Sequence, residues 1–461
     1  MTVWKVTLFP RLWLCLLVGT FYLAPVVRAA DVALQVQAAP ATQTPPQDKL
    51  LTIEEAVRIG LENHPRIRAA RERIGSQEAI LGQQMADYYP TINFNNSYRT
   101  TNSSTTSAGS NAFDTFTSQA NMNLTLYNFG KREGNVQAAR ETVDVTRQDY
   151  LTTSQDIVLS IKQAYYIYLG VQAVVTVRQE TVRNRELLVR QARGFYEVGT
   201  RARIDVARAE ANLYTARADL IAAENAVKIA WVTLRNAMGS PRLPEQPVAQ
   251  DSPEVELSMN LAAARSTAFE RRTELQSFEA QRRASDQLIA TARRGHLPDI
   301  VFDAFYGRRN SSGGGESTFP LQPAWQAQLS LNIPIFDGFR TTHRVEETLH
   351  DYYNIRAQEE ERRQQIALEV EQSYLRVVET QERILANEAA ARAAKENLDL
   401  AQGRYQVGVG SIIEVTDAET LFTDAQTNYV RTLYDYRIAD AQLARAMGDN
   451  RVSVLRPGSI R

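Results

Sequence analysis

The sequence predicts a mainly α-helical chain that also carries membrane β-strands: long helices packed lengthwise as coiled coils, plus four strands per chain. Three observations predict this. The stretch Tyr196–Gly239 recurs as Tyr405–Gly448 at a constant offset, with Val198-Gly199 on Val407-Gly408, Asp205 on Glu414 and Met238-Gly239 on Met447-Gly448. Inside each copy the apolar residues step by four and three alternately (Ala209, Leu213, Ala216, Leu220; Ala418, Phe422, Ala425, Tyr429). That is a heptad seam, the mark of helices packed lengthwise, with one seam position small and the other large so that the axes approach closely. Between the helical stretches lie runs with strict apolar–polar alternation, the period of a two-faced strand.

The chain has 461 residues and a formal net charge of -1. Near neutrality without a basic face speaks against a nucleic-acid partner. Residues 1–29 read as a signal peptide: Lys5 and Arg11, then an apolar run from Leu12 to Val27, then the small-x-small site Val27-Arg28-Ala29. The sole cysteine, Cys15, falls inside it, so the mature chain has neither disulfide nor thiol chemistry. No later stretch is apolar enough for a transmembrane helix. Residues 30–49 are rich in Pro, Ala and Gln and read as a flexible leader.

The first structural repeat covers residues 50–239. A helix starts at the N-cap Thr52 with Glu55 three residues on, breaks near His64-Pro65 and resumes to about Met85. From Pro90, Ile92, Phe94 and Tyr98 alternate with polar residues, a Ser/Thr/Asn/Gly loop runs from Thr100 to Ala112, and Phe116, Ala120, Met122, Leu124 and Leu126 alternate again. After the turn at Tyr127–Gly130, a helix of roughly 60 residues, about 90 Å long, reaches Gly194. Val136, Val143, Tyr150, Ile157, Ala164 and Val171 sit at heptad spacing along it, which implies a left-handed supercoil. The Val198-Gly199 turn sends the chain back through the Ala209–Ala237 helix. Residues 240–259, rich in proline, link the halves.

Residues 260–448 repeat this order, and 449–461 form a tail. A helix is expected over Leu261–Arg294, a strand over Ile300–Tyr306, a loop over Asn310–Glu316, a strand over Trp325–Ile335 and a turn at Phe336-Asp337-Gly338. The second long helix has Gln372 and Tyr374 where the first has Gln163 and Tyr165, but Glu359 and Thr380 interrupt its seam.

Strands of about ten residues suffice to cross a bilayer when tilted, and the alternation suits a barrel wall. Four strands do not close, and open edges in lipid strand backbone groups at several kcal/mol each. Further copies must complete the sheet, giving 8, 12 or 16 strands. The rival architecture is a soluble sandwich on a coiled coil.

These residues resemble the TolC family of outer-membrane efflux proteins. The likeness rests on Leu51–Ala56 with Glu62–Pro65 for the opening helix, on Tyr88-Tyr89-Pro90 and Leu297-Pro298-Asp299 for strand starts, and on Leu126–Gly130 and Pro334–Gly338 for strand-to-helix turns. It spans Leu51–Gly448. It implies a homotrimer with a 12-stranded barrel in the Gram-negative outer membrane and a helical tunnel in the periplasm. It further implies partners, namely a periplasmic membrane-fusion adaptor and an inner-membrane RND or ABC transporter.

No catalytic, cofactor-binding or metal motif is present. GxSxG, HExxH and a phosphate-binding glycine loop are all missing, and His343 and His350 share a helix face as ordinary polar residues. The informative groups lie beyond the two VG turns. Glu414 and Asp417, three apart, share a helix face, and the resemblance implies that they line the channel entrance as cation-favouring rings. It also implies a tip gating network of Asp205, Tyr196 and Tyr405, with Val198, Gly199, Val407 and Gly408 as adaptor-docking turns. Where the family carries an arginine, this chain has Gly410; Arg201 or Arg203 is expected to supply the lost cation. The reading is a passive export duct, for efflux or type I secretion. The alternative is an envelope coiled-coil scaffold.

Overall fold

The computed structural model describes residues 50–103, 111–249, 260–313 and 320–448. The signal, leader and tail, the tips of both hairpin loops and much of the linker lie outside the described residues. The element order is α1 (Ile53–Asn63), α2 (Pro65–Ala86), β1 (Thr91–Ser103), β2 (Asn111–Tyr127), α3 (Lys131–Glu197), α4 (Arg203–Ala237), α5 (Leu261–Arg271), α6 (Thr273–Arg293), β3 (Asp299–Gly313), β4 (Gln322–Asn332), α7 (Arg340–Gln406) and α8 (Ile412–Ala446). Helix–helix–hairpin–long helix–helix thus occurs twice.

Local chemistry sets the boundaries. The Thr52 hydroxyl accepts from the Glu55 backbone N–H (3.3 Å) and caps α1. Pro65 then occupies the first turn of α2, where its missing N–H leaves no bond unmade. Each strand-to-helix turn places two consecutive residues in the left-handed region: Phe129 and Gly130 in the first repeat, Gly338 and Phe339 in the second. The residue before them supplies the cap. Asn128 Oδ1 accepts from the Arg132 N–H (3.2 Å), and Asp337 Oδ2 from the Thr341 N–H (2.9 Å).

The four strands form one antiparallel sheet in the order β1-β2-β3-β4. The β2–β3 pairing joins the two repeats and holds from Phe113↔Gly313 to Tyr127↔Ile300, with one irregularity between Thr125 and Tyr127. The expected loops are shorter and the strands longer than the composition suggested, because ladder pairing carries Ser and Asn on to Ser103 and Gly313. At the other end, β4 stops at Asn332, so Ile333 and Ile335 leave the sheet and are exposed. No helix among the described residues is long and apolar enough to cross a membrane.

α3 and α7 each run 67 residues, about 100 Å at the α-helical rise. α3 packs on α4, α7 on α8, and α3 and α8 pack across the repeats. The heptad residues Val136, Val143, Ile157 and Ala164 are buried as the seam requires. One apolar cluster gathers Leu51, Ile161, Tyr165, Trp231, Leu234 and Met238 near the ends of α4. A separate one gathers Leu188, Ala192, Ala209, Leu398, Tyr405 and Val415 near the VG turns. Tyr165 also donates to the carbonyls of Leu51 (3.1 Å) and Ala249 (2.9 Å), tying the start of the first repeat to the linker.

The expected continuous helix over Leu261–Arg294 is broken at Arg272, which adopts extended backbone between α5 and α6. Without a proline the sequence carries no breaker signal there. The break is held by charge. Arg272 is buried, donates to the Arg445 carbonyl (3.3 Å) and ion-pairs with Glu369, while Glu274 pairs with Arg445 (2.9 Å) and Arg445 with Asp156 (2.8 Å). Burial alone would raise the Glu274 carboxyl. Arg445 and Arg272 outweigh it and hold it at about 2. The seam interruptions of α7 are explained in the same way. Buried Glu359 pairs with Arg282 (3.2 Å) and Arg363 (3.0 Å), and the Thr380 hydroxyl donates to the Arg376 carbonyl (2.8 Å).

Candidate functional site at the helical tip

Both helical hairpins end in the same local fold. The last turn of α3 closes through Gly199 N–H to the Tyr196 carbonyl (2.9 Å) and Thr200 N–H to Phe195 (2.9 Å). The last turn of α7 closes through Gly408 N–H to Tyr405 (3.1 Å) and Val409 N–H to Arg404 (3.1 Å). Gly199 (φ 77°) and Gly408 (φ 86°) are left-handed, the usual reason for glycine past a helix end. The preceding valines point outward, Val407 being 75% exposed. Val409, Ile204 and Ile413, which the sequence did not single out, join them in an exposed apolar rim.

The structure brings Arg201 and Tyr405 together and leaves Arg203 and Tyr196 apart. Arg201 crosses from the first-repeat turn to the second, donating from Nη2 to the carbonyls of Gly408 (3.0 Å) and Gly410 (2.7 Å). Its guanidinium lies 5.3 Å from the Tyr405 ring centroid, and the Phe195 ring meets Tyr405 edge-on at 5.6 Å. Tyr405 is 0% exposed, and its hydroxyl has no hydrogen-bond partner. Burial, with Asp205 nearby, raises that phenol; Arg201 opposes them. Within this chain no hydrogen bond joins Tyr405 to Asp205, which acts on the phenol through its charge. Arg203 and Tyr196 are exposed, and their side chains make no ion pair or hydrogen bond with any described residue.

Gly410 has a steric role here. A Cβ at this position would lie 2.9 Å from Arg404 Cβ and 3.0 Å from the Arg404 carbonyl carbon and the Tyr405 nitrogen. A side chain here would force its neighbours to shift, and the Gly410 carbonyl accepts from Arg201.

The two acids expected at a channel entrance differ in their surroundings. Glu414 helps cap α8, its N–H donating to Ser411 Oγ (3.2 Å), and its carboxylate pairs with Arg404 Nε (3.3 Å). Asp417 is exposed and makes no ion pair with any described residue. One further pair escaped sequence reasoning. Arg185 of α3 and Glu419 of α8 meet at 2.7 Å with 8% and 2% of their side chains exposed. Arg185 also donates to Thr420 Oγ1 (3.1 Å), and Thr181 and Thr423 share a hydrogen bond beside it (3.1 Å). The duplicate alignment matches Glu419 with Glu210, but Glu210 pairs with Arg193 at the surface, so the repeat pattern did not betray the burial.

On the sheet, the alternation yields two chemically distinct faces. One carries exposed Ile92, Phe94, Tyr98, Tyr306, Trp325, Leu329 and Leu331. The other carries amides in contact with each other or with a carboxylate: Gln119 to Asn121 (2.6 Å), Gln326 to Gln328 (2.9 Å) and Asn123 to Asp303 (2.7 Å). An apolar face next to an amide face, at the far end of long helical hairpins, defines a membrane channel protein.

The comparisons with known proteins agree with that class. The family described as Outer membrane efflux protein matches residues 57–240 and 264–449, and the chain belongs to that family. Protein CyaE of Bordetella pertussis is 28% identical over 91% of this chain and 90% of its own length. Outer membrane protein TolC of Escherichia coli is 26% identical over 82% of this chain and 77% of its own. Among solved structures, the outer membrane protein VceC of Vibrio cholerae superposes with a TM-score of 0.71 at 20% identity, covering 86% of this chain and 96% of that one. The outer-membrane channel OprN superposes with a TM-score of 0.73 at 17% identity, covering 86% and 90%. The chain is thus an outer-membrane efflux channel protein of the Gram-negative envelope.

Proposed function

We propose that three copies of the chain close a 12-stranded barrel and a helical tunnel that conducts solutes passively. Its tip is held shut by Arg201 and docked by a periplasmic adaptor serving an inner-membrane RND or ABC transporter. The observation that carries the gating reading is the crossing of Arg201 to the Gly408 and Gly410 carbonyls. It is the polar bond between the two turns at the place where the tunnel must open. The trimer is supported by the open edges of β1 and β4, which need partners in lipid. It is also supported by exposed apolar side chains on the long helices, among them Tyr214, Ile221, Leu368 and Leu375. Docking at Val198-Gly199 and Val407-Gly408 is supported by the exposed apolar rim, and Asp417 is the entrance acid left free to attract cations.

Planar-bilayer conductance of the purified oligomer tests this. Arg201→Ala is expected to raise resting conductance severalfold, since two charge-assisted hydrogen bonds between the turns are lost. Asp417→Asn is expected to weaken cation preference more than Glu414→Gln. Unchanged resting conductance in Arg201→Ala sinks the gating reading. The scaffold alternative predicts release from outer membranes by a carbonate wash, which the channel resists.

A further inference from the structure

The register of the sheet aligns Asn96, Ser118, Arg308 and Pro323 in one row across all four strands. By alternation this row lies on the apolar face, with Phe94, Ala120, Tyr306 and Trp325 as the next row toward the helices. Tyr98 and Phe116 stand in the row beyond it, toward the hairpin loops. Tyr306 and Trp325 are directly paired and 72% and 74% exposed, the arrangement of an aromatic girdle at a membrane boundary.

Within this row Arg308 is exposed, and its side chain makes no hydrogen bond or ion pair with any described residue. The acid of the same face on β2, Asp114, lies two rows further out, about 13 Å along the strand, and already accepts from Thr100 (2.8 Å). Arg309, the next residue, points to the amide face by the same alternation. A guanidinium on a lipid-covered face is costly in hydrocarbon and must sit at headgroup depth. There its planar fork of donors has no anionic partner among the described residues, and the row adds the Ser118 hydroxyl and the Asn96 amide as neighbouring polar groups one and two strands away.

We propose that Arg308, with Ser118 and Asn96, is a binding site for the phosphate of an anionic outer-leaflet lipid, whose acyl chains lie on Phe94, Tyr306 and Trp325. Charge complementarity selects the occupant: among the described residues the face offers a cation without an ion pair directly above an aromatic row, which suits an amphiphile with phosphate at one end and hydrocarbon at the other. The site rests on the membrane placement of this face, which the carbonate wash tests separately.

The test is native mass spectrometry of the detergent-purified oligomer, offered diphosphoryl lipid A, phosphatidylcholine or inorganic phosphate. The wild type is expected to retain lipid A over phosphatidylcholine. Arg308→Gln is expected to weaken lipid A binding about tenfold, the scale of one charge-assisted pair, and Arg309→Gln to leave it unchanged. Both side chains are exposed, so neither change disturbs packing, and both variants should stay with washed outer membranes. Wild-type affinity in Arg308→Gln, or an equal loss in Arg309→Gln, overturns the site. Displacement of lipid A by inorganic phosphate alone overturns the assignment to a lipid.

Discussion

Tyr405 carries a hydroxyl that folding has buried without a partner, next to an arginine that uses its donors elsewhere. Such a group contributes its desolvation penalty and no compensating bond. Tyr405→Phe is therefore expected to leave thermal stability unchanged or raise it by about 1 kcal/mol, while Tyr405→Ala loses a filled core position and costs roughly 3–5 kcal/mol. A clear loss in the phenylalanine variant would show that the hydroxyl finds a partner when copies assemble. At this scale the sequence was partly legible. Duplication singled out Tyr405, Asp205 and the glycine turns, and the resemblance flagged Gly410 as a departure. That Arg201 and not Arg203 makes the crossing depends on the path of a left-handed turn, and no spacing in the sequence encodes it.

Between elements, the α3–α8 contact is polar at Arg185–Glu419, beyond the apolar cluster of the tip. Burial pushes the Glu419 carboxyl up to about 7, and Arg185 only partly offsets it. A carboxyl raised above its unfolded value favours the folded state when protonated. Its contribution is complete below about pH 4.5 and fades as pH rises through about 7. Thermal unfolding should therefore show stability falling by a few kcal/mol between those limits, and Glu419→Gln should flatten the slope. A slope unchanged in the variant assigns the titration to another group. The heptads made the first long helix legible almost to its end, while the second, its seam interrupted at Glu359 and Thr380, was read from its match to the first. The break at Arg272 was not legible: it is set by Glu274, Glu369 and the Arg445 carbonyl, brought in from α6, α7 and α8.

For the whole molecule, the two faces of the sheet make opposite demands. Leu329→Arg places a charge on the apolar face and is expected to lower the membrane-inserted fraction, by about 2–4 kcal/mol if the residue lies near mid-depth. Gln328→Arg, one residue away on the amide face, is expected to insert normally and to change only ion selectivity. Equal insertion of both would mean that the apolar face is not the lipid face. Strand alternation over Phe116–Leu126 and Trp325–Leu331 announced this division from the sequence alone. The strand ends did not follow, since the backbone ladder continues through residues 310–312.

The Arg201 crossing also gives the molecule a sense of direction. The two hairpins of one chain are built alike, yet the clasp runs one way: the first reaches out, and the second, bare at Gly410, only receives. In a ring built as proposed, each hairpin of the first kind has two unlike flanks, one fastened within its own chain and one facing the neighbouring copy. Such a ring has a handedness at its mouth. While the clasp holds, the ring moves as three two-hairpin units and not as six equal staves, and releasing Arg201 frees the two hairpins of each chain from one another.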